Sequence, residues 1–203
     1  EDEDSRGHQF VGRSGRILKD ALGREFRQVI RYNNVVRTRP HEAGSNRDPT
    51  PHEIECCRPS IIRDIEESKP KAIFGFGNIP LQWVTGYTGI NAYRGRRIPV
   101  KIGTHVCWYY PMLHPAAILH ARFGDEEDTG RYEEGDVINE DHRMLIFDIE
   151  HALAEIENLP DAVVHTNEEA LRNIEIVEQY NQTSLRNIEH KLALLGKQRV
   201  VGI

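Results

Sequence analysis

Cysteine is scarce in this chain of 203 residues, which contains only Cys56, Cys57 and Cys107. The number is odd and no two of them form a CxxC pair, so we expect neither a disulfide-rich framework nor a self-contained zinc site. Long apolar runs are also missing, and no stretch is long enough to span a bilayer. A basic and then apolar leader is missing as well. We therefore expect a soluble, intracellular protein of the cytoplasm, with no membrane partner.

Charge is distributed unevenly along the chain. Residues 1–122 contain 19 Lys and Arg against 13 Asp and Glu, whereas residues 123–203 contain 7 against 19. The overall charge of −6 therefore conceals a basic front part and an acidic back part. A basic part of this kind suits phosphate groups, as in nucleic acid. The alternative is that the arginines only solvate helices, and charge alone does not separate the two.

Apolar periodicity predicts that helices and strands alternate. Helices are expected at SGRILKDAL, after Thr50 as N-cap and Pro51 as first helical residue, and at NIPLQWVTG. Strands are expected at RQVIRYNNVV, KAIFGFG, IPVKIG and HVCWYY. This alternation predicts an α/β fold of three layers, α/β/α, around a central, mostly parallel, four-stranded sheet, followed by C-terminal helices. Ligands of such sheets bind beyond the carboxyl ends of the strands, where YNN, GFGN and YYPMLHP fall.

Several short motifs occur in a fixed order: FVGRSG, NNVVRTRP, NRDPTPHEIECC, KPKAIFGFG, RG and LHPAAIL. In this order they resemble the uracil-DNA glycosylase superfamily, in its iron–sulfur, thermophile-type branch. The resemblance covers residues 1–159 if RMLIFDIEHALAEIENL is counted as the closing helix. It implies a protein that flips uracil, or a related deaminated base, out of single- or double-stranded DNA and hydrolyses its N-glycosidic bond.

The resemblance implies roles for three residues. Phe10 would stack on the flipped base. Asn34 would read the base, because an amide donates to O4 and accepts from N3–H of uracil, a pattern that cytosine inverts. His114 would donate to O2 as negative charge gathers on the leaving uracil. The structural alternatives are that Phe10 fills the core, that Asn34 caps a strand end and that His114 holds the turn before Pro115. Asn33 competes with Asn34 for the same role.

DNA phosphates are expected to contact Ser14, Arg94, Arg96 and Arg97, provided that the pocket forms. The alternative for NAYRGRRIP is a solvated hairpin. Water is the expected nucleophile, because no lysine is placed at the pocket motifs so that it could form a Schiff base.

The sequence also departs from the family. The family's Gly-Glu motif would precede Glu1, together with two of the four cysteines that hold its iron–sulfur cluster. Cys57 would be the third ligand, and Thr38 stands at the fourth position. Because such clusters need four thiolates, we expect no cluster and no other cofactor. The family's HPSYLLR-like motif has become HPAAILHAR, so that Ala116 and His120 replace a polar and a basic residue.

The rest of the chain is expected to lie outside the glycosylase-like core. Residues 123–141 form an acidic insertion, interpreted as a solvated loop rather than a DNA mimic or gate. Residues 160–203 are predicted to be a helical extension or linker. The closing VVGI resembles the first strand of proofreading exonuclease domains, which predicts a further domain, as in a phage-type replication protein.

Two other functions compete with the glycosylase. One is a catalytically silent DNA-binding module of the same fold that recruits replication proteins, which the departures from the family favour. The other is a protein that binds a nucleotide or modified base without DNA. Salt dependence separates the second from DNA binding, because phosphate contacts weaken steeply with salt.

Overall fold

The computed structural model describes residues 12–26, 29–42, 45–123 and 139–164. The chain divides into two units, residues 1–164 and 165–203, and all described residues belong to the first. Phe10, residues 124–138 of the acidic insertion and the extension from residue 165 onward lie outside the described residues. No helix in the described part of the chain is both long and apolar enough to cross a membrane.

The described residues form six helices and five strands. In chain order these are α1 (Arg13–Phe26), β1 (His41–Glu42), β2 (Ser45–Asn46), α2 (Pro51–Ser68), β3 (Ala72–Phe76), α3 (Asn78–Thr85), α4 (Ile90–Tyr93), β4 (Ile98–Ile102), β5 (His105–Met112), α5 (Pro115–Phe123) and α6 (Glu140–Ile156).

The central sheet has three strands among the described residues, in the order β3, β5, β4. β3 is parallel to β5, with Ala72 opposite Trp108, whereas β4 is antiparallel to β5. A fourth strand is therefore not confirmed, and one of the two strand pairs is antiparallel instead of parallel. The reason is the tight turn at Gly103 and Thr104 between β4 and β5, because so short a connection can only join antiparallel strands.

The segment RQVIRYNNVV is not a strand from residue 29 onward, contrary to the prediction. Val29 is 78% exposed. Side-chain atoms also accept hydrogen bonds from backbone N–H groups that would otherwise bond to a neighbouring strand. Asn33 Oδ1 accepts the N–H of Asn34 (2.9 Å), and Cys57 Sγ accepts that of Arg37 (3.5 Å). Asparagine competes in this way with regular structure, so Asn34 lies in a loop and not at a strand end.

β5 builds the core on both faces of the sheet, because successive side chains of a strand point to opposite faces. Tyr110 and Met112 are buried in one cluster with residues of α1, α5 and α6. Cys107 and Tyr109 are buried in a second cluster with residues of α2, α3 and β4. Helices thus cover both faces, which confirms the predicted three-layer α/β/α arrangement.

Helix α2 begins where the sequence predicts. The Thr50 side chain accepts the N–H of Glu53 (3.3 Å), and Glu53 Oε2 accepts the N–H of Thr50 (2.7 Å), which together form a capping box. Pro51 is the first helical residue. Arg47 donates two further hydrogen bonds of 2.8 Å to Glu53, and this contact is the largest cause that lowers the pKa of Glu53 to about 2. These contacts fix the loop that leads into α2.

Candidate active site

A cleft of about 890 Å³ lies between residues 29–40, helix α2 and β3. Its lining includes Asn34, Phe76 at the end of β3, and His114 after the end of β5. β3 and β5 are parallel, so their carboxyl ends meet at one edge of the sheet, where α/β folds bind ligands. The structure therefore brings Asn34 and His114 to one cleft. Sequence analysis did not single out Phe76, whose signal is its place at the end of an apolar strand, directly before Gly77.

His114 lies between β5 and the first residue of α5, Pro115. Its Nδ1 accepts the backbone N–H of Ala116 at 3.1 Å. A neutral imidazole has one donor and one acceptor nitrogen, so the proton of neutral His114 is on Nε2. The ring is thus oriented by the start of α5, and its Nε2 is a hydrogen-bond donor.

Gly77 allows the end of β3 to approach His114 closely. Its N–H donates to the carbonyl oxygen of Met112 (2.8 Å), and its φ is 87°, in the region that favours glycine. A Cβ atom at this position would lie 3.2 Å from the Cβ of His114. A larger residue would therefore strain the backbone and press on the histidine.

The two adjacent asparagines have different environments. Asn33 uses both ends of its amide, since Nδ2 donates to Asp64 Oδ2 (2.9 Å) and Oδ1 accepts the N–H of Asn34 (2.9 Å). Both residues are exposed and line the cleft, but the Asn34 side chain makes no hydrogen bond with the residues that the structure describes. This geometry favours Asn34 over Asn33 as the residue that reads a ligand.

Asp64 of α2 anchors the loop that carries Asn34. Besides accepting from Asn33, it forms ion pairs with Arg31 (3.5 Å) and with Arg37. Its side chain is only 19% exposed, whereas both arginines are exposed. Two successive hydrogen bonds, from Asn33 to Asp64 and from the Asn34 backbone to Asn33, therefore link the cleft loop to helix α2.

Replacing Asp64 with alanine is expected to loosen this loop. The variant leaves the Asn33 amide without its acceptor, and hydrogen bonds to charged groups contribute about 2 kcal/mol, so we expect a comparable loss in the free energy of unfolding. Asp64→Asn retains an acceptor for Asn33 and is expected to lose less. Urea unfolding measures the change in the free energy of unfolding. Hydrogen exchange at the backbone N–H of Asn34 is expected to accelerate in Asp64→Ala.

The matched control is Asp48→Ala, since Asp48 is an exposed carboxylate that lines the same cleft. Unchanged exchange at Asn34 in Asp64→Ala would show that Asp64 does not hold the loop.

The cleft is rich in positive charge. Its charged lining residues are Arg31, Arg37, Arg39, Arg47 and Lys71, against Asp48 and Asp64. An anionic polymer such as nucleic acid suits this balance. Sequence analysis did not single out the first three of these arginines, although RYNNVVRTRP contains all three.

Two of the residues that are predicted to contact phosphate, Arg94 and Arg97, pair with carboxylates of α6. Arg94 Nη2 lies 2.8 Å from Asp148 Oδ1 of α6, and the Asp148 side chain is 3% exposed. Burial raises the pKa of Asp148, and Arg94 opposes this shift. Arg97 pairs with Glu155 (3.2 Å) and packs over the ring of Trp108. Both guanidinium groups thus pair with carboxylates of α6, and their phosphate contacts stay a prediction.

Arg96 and Ser14 keep their predicted roles as hypotheses. Arg96 is exposed, and its guanidinium lies 5.6 Å from the centroid of the Tyr93 ring. It forms no ion pair with other residues in the described ranges. Ser14 lies partly buried in the first turn of α1.

An iron–sulfur cluster of the kind that the resemblance implies needs four thiolates. Cys107 is buried in the sheet, and burial raises its pKa to about 11. Cys57 Sγ accepts the N–H of Arg37, and Cys56 Sγ lies 3.6 Å from Nε2 of His52. In the described ranges no three His, Cys, Asp or Glu side chains could together hold a metal ion. These residues by themselves do not fit such a cluster.

Comparison with known families decides the relationship. Residues 1–134 match the family described as the uracil DNA glycosylase superfamily. The chain belongs to this superfamily. The matched range includes the cleft residues Asn34 and His114, whereas α6 lies beyond it.

Curated relatives of this superfamily member are named type-4 uracil-DNA glycosylases. The type-4 uracil-DNA glycosylase of Archaeoglobus fulgidus is 31% identical over 126 residues, which are 59% of this chain and 62% of the relative. That of Sulfurisphaera tokodaii is 34% identical over 129 residues, 59% of this chain and 57% of the relative. That of Thermotoga maritima is 32% identical over 156 residues, 75% of this chain and 70% of the relative.

These matches confirm the resemblance to the thermophile-type branch of the uracil DNA glycosylase superfamily. The chain spans about three-fifths of the length of the first two relatives. The predicted phage-type replication context stays a prediction.

Proposed function

We propose that the protein is a DNA glycosylase that releases uracil from DNA by hydrolysing the bond between the base and deoxyribose. The observation that carries the proposal is that Asn34 and His114 line one basic cleft in a chain of this superfamily. The names of the type-4 relatives support uracil as the base. The partner is uracil-containing DNA.

Recognition begins when the target nucleotide leaves the base stack and its base enters the cleft. The Asn34 amide then donates from Nδ2 to O4 of uracil and accepts N3–H at Oδ1. Cytosine has a donor and an acceptor in the opposite places, so a fixed amide rejects it. The proposal places Phe10 against the face of the flipped ring, where stacking contributes roughly 1 to 3 kcal/mol.

His114 acts on the leaving group. As the bond between C1′ and N1 breaks, its electron pair stays on uracil and negative charge develops at O2. The Nε2–H donor of His114 stabilises this charge more in the transition state than in the ground state. The neutral tautomer follows from the contact between Nδ1 and the N–H of Ala116. Water adds hydroxyl to C1′ and its second proton goes to uracil, which leaves free uracil and an abasic site.

The nucleophile of the proposal is water and not a lysine. Lys71 is the one lysine among the described residues that line the cleft, and its Nζ donates to the carbonyl oxygen of Glu157 (3.4 Å). A Schiff base needs an unprotonated amine that reaches C1′. The main-chain contact of Lys71 favours hydrolysis instead.

The proposal is tested with a labelled, single-stranded oligonucleotide that contains one uracil. The protein is incubated with it, and alkali then cleaves the strand at any abasic site. We expect cleavage at the uracil position and none in a matched strand with cytosine there. No cleavage, with binding that weakens as salt rises, would indicate the silent module that recruits replication proteins. Binding of free base with little salt dependence would indicate a protein that binds a nucleotide or modified base without DNA.

A further inference from the structure

A stacked aromatic pair joins Tyr87, on the loop after α3, to Tyr93, the last residue of α4, which is partly buried against the second core cluster. The rings of Tyr87 and Tyr93 are parallel within 6°, and their centroids are 5.1 Å apart. Tyr87 is 53% exposed. The guanidinium of Arg96 lies 5.6 Å from the Tyr93 ring centroid. We call these three residues the tyrosine platform.

The tyrosine platform is tied to the active-site cleft through Asn78. The Oδ1 atom of Asn78 accepts the N–H of Gly89 (3.1 Å) and of Ile90 (2.8 Å), which fixes the loop between the two tyrosines. Asn78 directly follows Gly77, which approaches His114 closely. The platform is therefore held near the catalytic histidine by one side chain and a short piece of backbone.

The chemistry of the platform suits an unpaired base. Single exposed apolar residues are common and need no explanation, but two parallel rings beside a cation are a more specific arrangement. Any base can stack on an aromatic face, and a nearby arginine attracts the phosphate of the same strand. By comparison, the exposed Phe147 of α6 makes its ring contact with His151.

We infer that Tyr87, Tyr93 and Arg96 form a second binding site for DNA, on which an unpaired base of the strand stacks outside the cleft. The base stacks on the exposed face of Tyr87. Tyr93 packs against the opposite face of the Tyr87 ring, and Arg96 pairs with a phosphate. The inference rests on the proposed function for its ligand, since it concerns the strand whose flipped nucleotide occupies the cleft. Its partner is single-stranded DNA, recognised without regard to sequence.

The test is a binding measurement that needs no catalysis. The fluorescence anisotropy of a labelled, uracil-free oligothymidine of about twelve nucleotides, a typical site size, reports binding. Tyr87→Ala is expected to weaken binding about tenfold. On a strand of equal length in which abasic residues replace the nucleotides, the same variant is expected to bind like the unchanged protein. Tyr87→Phe keeps the aromatic ring and is expected to bind like the unchanged protein. Phe147→Ala, the matched control, removes an exposed aromatic ring elsewhere and is expected to do the same.

Arg96 has a different signature because it contacts phosphate. Arg96→Gln is expected to weaken binding to both strands and to reduce the slope of log affinity against log salt by about 0.7. The loss of affinity in Tyr87→Ala is expected only on the strand that carries bases, whereas the loss in Arg96→Gln is expected on both strands. These two results together identify the platform.

Two results would overturn the inference: unchanged oligothymidine binding in Tyr87→Ala, or an equal loss on both strands. Uracil release is measured on the same preparations. A protein that releases no uracil but shows the Tyr87 dependence would refute the proposed function and leave the second site standing.

Discussion

Replacing His114 with alanine is expected to slow uracil release about a hundred- to a thousandfold. Removal of one donor to a developing oxyanion has an effect of this size, because the charge at O2 then meets no fixed hydrogen bond. Binding of uracil-containing DNA is expected to change little, since the charge exists only as the bond breaks. Single-turnover rates with enzyme in excess separate the two quantities.

Two further variants make the His114 result specific. His114→Gln restores an N–H donor and is expected to recover part of the rate. His52→Ala removes an exposed histidine of α2 that does not line the cleft and is expected to keep the full rate. If His114→Ala released uracil within about threefold of the unchanged protein, the role of this donor would be refuted.

Replacing Asn34 with aspartate is expected to change which base is released. An ionised carboxylate still accepts N3–H of uracil but opposes O4, and it accepts the amino group of cytosine, which the amide rejects. We expect uracil release to fall about a hundredfold and the preference for uracil over cytosine to narrow. Rates on matched strands with uracil or cytosine at the same position measure this ratio.

Asn34→Ala separates loss of recognition from a change of recognition, because it is expected to slow uracil release without promoting cytosine release. Asn91→Asp is the matched control, since Asn91 is an exposed asparagine of α4 outside the cleft lining. An unchanged ratio in Asn34→Asp would mean that another residue reads the base.

Elements with strong local signals could be predicted from the sequence. The start of α2 follows from Thr50, Pro51 and Glu53, which interact within one turn of helix. β3 follows from a short apolar run that ends in glycine, and β5 from a longer one. Capping hydrogen bonds within one turn and runs of apolar residues indicate these elements. Both signals can be seen in the sequence without knowledge of which residues pack together.

The loop at residues 29–40 could not be predicted in the same way. Its apolar residues are typical of a strand, but Asp64 and Cys57 of α2 take up its polar groups. The antiparallel direction of β4 follows from the short turn at Gly103 and Thr104, which joins β4 to β5 as a hairpin. The arginines of NAYRGRRIP look alike in the sequence, yet Arg94 and Arg97 pair with α6 and only Arg96 is exposed.

The sequence by itself determined the three-layer α/β/α class, the superfamily and the motifs that contain Asn34 and His114, because these depend on local patterns and motif order. Tertiary structure decided which of the two asparagines has its side-chain amide bonded and which arginine is exposed. Each of these depends on a partner elsewhere in the fold, such as Asp64 for Asn33 or Asp148 for Arg94. Such pairings follow from the packing of helices on the sheet, since only the folded chain brings the two partners together.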